Sequence, residues 1–168
     1  AGAVLGFTEV FPSAGLDHNR SHGIAIADFD RDGDLDVIVG HSRARCDPSE
    51  PNDCYETSQI RFFRNVAGEG GNFVQLRLEG GAGTNRAAIG ARARVTTPDG
   101  VVQTREVDGG HGPFGAQHDL VLHFGLGPHC EADVEIRWPD AALTTQRFRV
   151  TSGHRFHVVQ GRAPALAP

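Results

Sequence analysis

Apolar and polar positions alternate with a period of two through most of this chain. Val74, Leu76 and Leu78 alternate with Gln75, Arg77 and Glu79; Ile89, Ala91, Ala93 and Val95 alternate with Gly90, Arg92 and Arg94. Successive strand residues point to opposite faces, so each run predicts a half-buried strand, the second with an Arg-bearing outer face. Pro98-Asp99-Gly100 is a tight-turn signal leading into a strand from Val101 through Val107. Short runs at Leu120 to Phe124, Val134 to Trp138, Gln146 to Val150 and Arg155 to Gln160 predict further strands separated by turns. Upstream, Gly23 to Ala27 and Leu35 to Val39 read as a strand pair, and Gln59 to Asn65 as a third strand pairing back on it. No long segment has helical periodicity. The pattern predicts an all-β protein: a single blade-like hairpin unit packed on an antiparallel β-sandwich or barrel. Gly68, Gly70 and Gly71 form a natural joint, so the expected division is residues 1–66, residues 67–161, and a flexible Ala- and Pro-rich tail over 162–168.

Between the first two predicted strands the pattern changes. Asp28-Phe29-Asp30-Arg31-Asp32-Gly33-Asp34-Leu35-Asp36 carries five carboxylates at alternating positions around one glycine. Folding presses these charges together, and a hard cation that accepts about six to eight oxygens turns the repulsion into binding. Asp28, Asp30 and Asp32 hold loop positions 1, 3 and 5. Gly33 permits the sharp turn that carries the Asp34 carbonyl toward an ion, and Asp36 at position 9 completes the set. An EF-hand requires a bidentate Glu at position 12, which here is Val39, and flanking helices where this chain has strand patterns. The reading is a strand–calcium–strand hairpin with Ca2+ as the expected cofactor. An acidic turn without an ion has no need of this spacing.

Composition narrows the field. The chain has 168 residues, 39% hydrophobic, with 22 Gly and 9 Pro, a turn-rich sequence still able to build a core. Its formal net charge is −5, much of it in the acidic loop, and no basic stripe is interleaved with aromatics, which argues against nucleic acid. No apolar run of about 18 residues is present, so no membrane span is expected. The chain starts at Ala1 and has no Met, as expected of a processed chain or a piece of a longer one, and no signal peptide is visible. All 16 basic residues are Arg, which genome bias explains more simply than function.

Cys46 and Cys54 bracket a polar, proline-rich loop that could not hold itself in place, and a disulfide closing it is the preferred reading over two free thiols. Cys130 is left over and reads as free and partly buried. A disulfide beside a calcium loop points outside the cytoplasm. Among the nine His, His154 and His157 fall on opposite faces of a predicted strand, whereas His111, His118 and His129 fall in loops and could meet only through the fold. His123 reads as a structural hydrogen-bonding residue. No Gly-x-Ser-x-Gly elbow, His-Glu-x-x-His or phosphate loop occurs. The best catalytic alternative is a hydrolase with a site in the Gly/His-rich loop 109–119, a loop His oriented by Asp119. Asn85-Arg86 reads as a turn-fixing pair, and Asn85, Arg86, His111 and Asp119 are the candidate ligand contacts.

Two family resemblances rest on these residues. Gly23 to Gly40, with its Asp-x-Asp-x-Asp-Gly-x-x-Asp loop, resembles an FG-GAP or VCBS calcium repeat of propeller blades. Residues 72 to about 159 resemble the ASPIC/UnbV domain. That match lies in Asn85-Arg86 with Ile89-Gly90-Ala91, the stretch Gly109 to Gly115 with Asp119, His123-Phe124-Gly125-Leu126-Gly127, and Val134-Glu135-Ile136-Arg137-Trp138-Pro139. The resemblance implies a secreted or cell-surface, calcium-binding, non-enzymatic module that contacts extracellular protein or glycan in adhesion or ligand binding, the ion being mainly structural. Relatives usually carry several repeats, and here there is one. A single blade cannot close, so the hairpin is expected to pack on the sandwich, pair in a homodimer, or contact the rest of a larger parent chain as the capping C-terminal fragment of a β-propeller protein.

Overall fold

The computed structural model describes residues 6–8, 10, 13–16, 21–41, 49, 59–66, 71–110 and 115–167. Cys46, Cys54 and His111, and with them the expected disulfide, lie outside the described residues.

Three strands form an N-terminal sheet in the order β1–β2–β3: β1 (Ser21–Ala27), β2 (Asp36–His41) and β3 (Gln59–Phe63). Ala27 pairs with Asp36 across the acidic loop, so β1 and β2 are the hairpin that the β-branched runs predict. The remaining strands are β4 (Asn72–Glu79), β5 (Arg92–Thr96), β6 (Val102–Glu106), β7 (Val121–Gly127), β8 (Glu131–Arg137), β9 (Thr145–Thr151), β10 (His154–Val159) and β11 (Ala165–Leu166). They make two four-stranded sheets, ordered β11–β10–β4–β7 and β6–β5–β8–β9. The protein is all-β, a hairpin sheet set on a sandwich.

The alternation explains the layers. Val74, Leu76 and Leu78 of β4, Leu122, Phe124 and Leu126 of β7, and Val158 of β10 meet Ala93 and Val95 of β5 and Ala132, Val134 and Ile136 of β8 in one buried cluster. Trp138 closes it, 1% exposed, with its indole N–H donated to Gln146 at 3.2 Å. On the opposite face of the second sheet, Glu135 faces Arg147 and Asp133 faces Arg149 across the β8–β9 register, paired at 2.6 and 2.9 Å. These pairs lie in solvent and fix register more than they stabilise.

Four details depart from the expected pattern. The β4–β10 pair is parallel, because the chain crosses through the second sheet before returning. Strand β5 begins at Arg92, not Ile89. Asn85 clamps the preceding turn by donating to the Ile89 carbonyl and accepting the Ile89 N–H, both at 2.8 Å, and Ala88 and Gly90 take positive φ of 56° and 92°. The segment read as a flexible tail contains β11, which pairs with Phe156 and His157. Cys130 is free, as expected, but exposed rather than partly buried. No helix among the described residues is long and apolar enough to cross a membrane.

Candidate metal centre

The acidic loop winds through short side-chain-to-backbone bonds. Asp30 Oδ1 accepts the Asp32 N–H at 3.3 Å, and Asp32 Oδ1 accepts the Asp34 N–H at 3.0 Å. Asp28 Oδ2 accepts the Gly33 N–H at 3.2 Å. The first two bonds are the two-residue turns that Asp favours, and the third closes the loop across five residues. Gly33 adopts φ of 98° and sits against the Phe73 ring, where any Cβ would be driven into the ring atoms. That contact joins the loop to the sandwich.

The curl brings carboxylates together. Asp28, Asp30 and Asp36 each present an oxygen within 4.8 Å of the other two, the one such His/Cys/Asp/Glu cluster among the described residues. Asp36 is fully buried, and its two oxygens accept the N–H groups of Phe29 at 3.1 Å and Asn65 at 2.8 Å. Asp28 is 8% exposed; its Oδ2 is bonded, whereas its Oδ1 is buried with no partner. An ionised oxygen taken from water without a partner is costly. A cation held by Asp28, Asp30 and Asp36 would supply the missing partner, and this donor set fits a hard, oxygen-seeking ion.

Asp32 and Asp34 stand outside that cluster. Asp32 turns outward to Arg64, which also pairs with Asp30; the distances are 3.3 and 2.5 Å. The bond from the Asp34 N–H, followed by Arg64, holds the Asp32 carboxyl below the usual range. The Asp30 and Asp32 carboxylates hold the Arg64 guanidinium above its ordinary value.

Side chains from the sandwich complete the surroundings, and only His123 among them was singled out by the sequence. Gln75 of β4 is 2% exposed and donates through Nε2 to Asp28 Oδ2 at 2.6 Å. The same nitrogen lies 3.3 Å from His123 Nδ1, and Arg155 Nε donates to Gln75 Oε1 at 2.6 Å. This network fixes which way the amide points. The His123 ring stacks on Phe73 with centroids 5.6 Å apart. Burial foremost pushes the His123 pKa down; Asp28 opposes it and Arg105 adds to it. Both its partners and its placement agree with the structural role read from sequence.

The other candidates disperse. His118 Nδ1 accepts the Ile26 N–H of β1 at 3.1 Å, tying the hairpin edge to the sandwich. His129 Nε2 lies 3.2 Å from Asp99 Oδ2, and His157 Nε2 lies 2.9 Å from Glu79 Oε2. Among the described residues no histidine joins a metal-binding cluster. A cleft of about 310 Å³ between hairpin and sandwich is lined by His118, Asp119 and His123. Asp119 Oδ1 accepts the Val121 N–H at 3.2 Å, and His111, the other candidate of that loop, lies outside the described residues. Asn85 is committed to its turn and Arg86 faces Glu79 at 3.6 Å. Arg86 and Asp119 share the wall of a groove that also holds Arg77 and Arg155.

A β-sandwich bearing an acidic hairpin on its outer face is the class of protein defined by this geometry, and the chain belongs to the ASPIC and UnbV family, whose model matches residues 81–165. Its relatives include cartilage acidic protein 1 of Homo sapiens, 30% identical over 155 residues, which covers 90% of this chain and 21% of the human protein. The Mus musculus and Xenopus tropicalis proteins of the same name are each 30% identical, over 82% and 76% of this chain and 19% and 18% of their own lengths. The chain spans about a fifth of the length of these curated relatives.

Proposed function

We propose that this chain is a calcium-binding, non-enzymatic module that works outside the cell, with the ion ordering the hairpin and the loops contacting an extracellular protein or glycan. One observation carries the reading: Asp28 Oδ1 is buried and unpartnered among three convergent carboxylates. The Asp-x-Asp-x-Asp-Gly-x-x-Asp spacing, which resembles an FG-GAP or VCBS repeat, supports calcium as the ion, with the Asp34 carbonyl and Asp32 as further ligands. The division at 1–66, 67–161 and 162–168 belongs to the same reading. So does a Cys46–Cys54 disulfide, for which thiol counting on the unreduced protein is expected to find Cys130 alone. Calorimetric titration of chelator-stripped protein with calcium tests the centre. About one ion per chain with a raised melting temperature is expected; no binding refutes it.

A second reading draws on the hairpin sheet. Ile60 is 79% exposed and Phe62 50% on one face of the sheet, with Phe29, 45% exposed, packed edge-on against Phe62, so a cluster of apolar side chains stands in water there. A hairpin that caps a larger β-propeller would cover it. This reading predicts self-association of the separate chain, weakened by Ile60→Ser with Phe62→Ser in sedimentation experiments.

A further inference from the structure

Gln75 lies in a row that crosses three strands. The β4–β7 register sets Gln75 opposite His123, and the β4–β10 register sets it opposite Arg155. All three project from the face of the sandwich away from its core, and the acidic loop lies over that face. Gln75 Nε2 grips Asp28 Oδ2 at 2.6 Å, while Arg155 Nε grips Gln75 Oε1 at 2.6 Å. Asp28 therefore has one oxygen anchored from the sandwich and the other, Oδ1, buried and unpartnered within the carboxylate cluster.

We propose that Gln75 is a positioning residue for the cation centre, and that through it the sandwich sets the affinity of the hairpin loop for its ion. This rests on the calcium reading above and goes beyond it, because every first-contact ligand lies in the hairpin whereas the residue that aims one of them lies 47 positions away in another sheet. A carboxylate free to rotate loses orientation entropy when it binds an ion. One already held by a neutral donor does not, and Arg155 strengthens that donor by polarising the amide. A glutamine suits the task because it fixes the carboxylate without bringing a positive charge to the ion. Linkage makes the effect mutual: whatever factor docking adds to ion affinity, the ion adds to docking.

The test is calcium titration by calorimetry on the full chain, at a temperature where melting curves show each protein folded. Gln75→Leu is expected to weaken calcium binding by about 10- to 100-fold, the range typical of a lost outer-shell partner. Arg155→Met is expected to weaken it less, and Gln103→Leu, whose amide bonds the Gly125 carbonyl elsewhere on the sandwich, not at all. The Gln75 side-chain amide signal in nitrogen-15 NMR should shift with the same midpoint as binding, which a glutamine that merely packs would not do. Gln75→Leu binding calcium as tightly as wild type overturns the role of Gln75 and leaves the centre standing. If Gln75→Leu does not fold, Arg155→Met decides: wild-type affinity overturns the proposal. Wild-type protein that binds no calcium overturns the centre and this inference together.

Discussion

Asp28→Asn separates a ligand carboxylate from a structural one, because the two roles predict opposite signs. Asp28 and Asp36 are both buried, with ligand oxygens no more than 4.8 Å apart. At an effective dielectric constant of about 20, two charges at that distance repel by about 3.5 kcal/mol. Neutralising Asp28 removes this repulsion. The amide oxygen can still accept from Gly33 and Gln75, so the exchange of a charge-assisted bond for a neutral one costs about 1 kcal/mol. The balance favours the variant by roughly 2 kcal/mol in chelator, or about 4–8 °C in melting temperature for a chain of this size. Calcium reverses the order. At a free concentration 1,000 times its Kd it stabilises wild type by about 4.1 kcal/mol, and it adds almost nothing to a variant that has lost a ligand. Differential scanning calorimetry of both proteins, in chelator and in saturating calcium, should show melting curves that exchange places. A variant that melts well below wild type in chelator refutes the reasoning, since Asp28 would then be an acceptor that holds the hairpin together rather than a ligand awaiting an ion.

What the sequence revealed was what is local. Strand positions follow from two-residue alternation, and the loop follows from Asp spacing around Gly33, because in both cases the determining residues are neighbours along the chain. Alternation failed at Ile89 and Ala91, whose pattern continues past the point where the Asn85 clamp has already bent the backbone into a turn. Gln75 exposes the deeper limit. Its alternation assigns it to the outer face, and it is on that face, yet it is almost fully buried because the acidic loop covers it. Nothing near residue 75 announces a partner at residue 28. His118 is the same case, bonded to a strand edge 92 residues away. Within the loop, spacing set the side chains of Asp28, Asp30, Asp32 and Asp36 and the Asp34 carbonyl around one ion; in the structure Asp28, Asp30 and Asp36 converge, while Arg64, from beyond the loop, bridges Asp30 and Asp32.

Gly33→Ala places a Cβ at a backbone φ of 98° and against the Phe73 ring, so it should lower both melting temperature and calcium affinity; unchanged values in both would contradict the close approach. Asp99 offers a test independent of the metal centre. Its carboxyl accepts from Thr97 Oγ1 at 2.5 Å, the largest cause, and lies beside His129; together they hold its pKa at about 2 instead of the ordinary 3.8. A carboxyl depressed in the folded state binds its proton more weakly there than in the unfolded chain. Its contribution to stability is therefore full above pH 3.8 and is lost as pH falls through about 2. Thr97→Val removes the main donor, so the Asp99 carboxyl should titrate closer to 3.8 in carbon-13 NMR. The gap in stability between wild type and variant that comes from this bond should then close between those two pH values. An Asp99 that titrates at its ordinary value in wild type, or one that Thr97→Val leaves unmoved, would show that the hydroxyl is not what stabilises the charge.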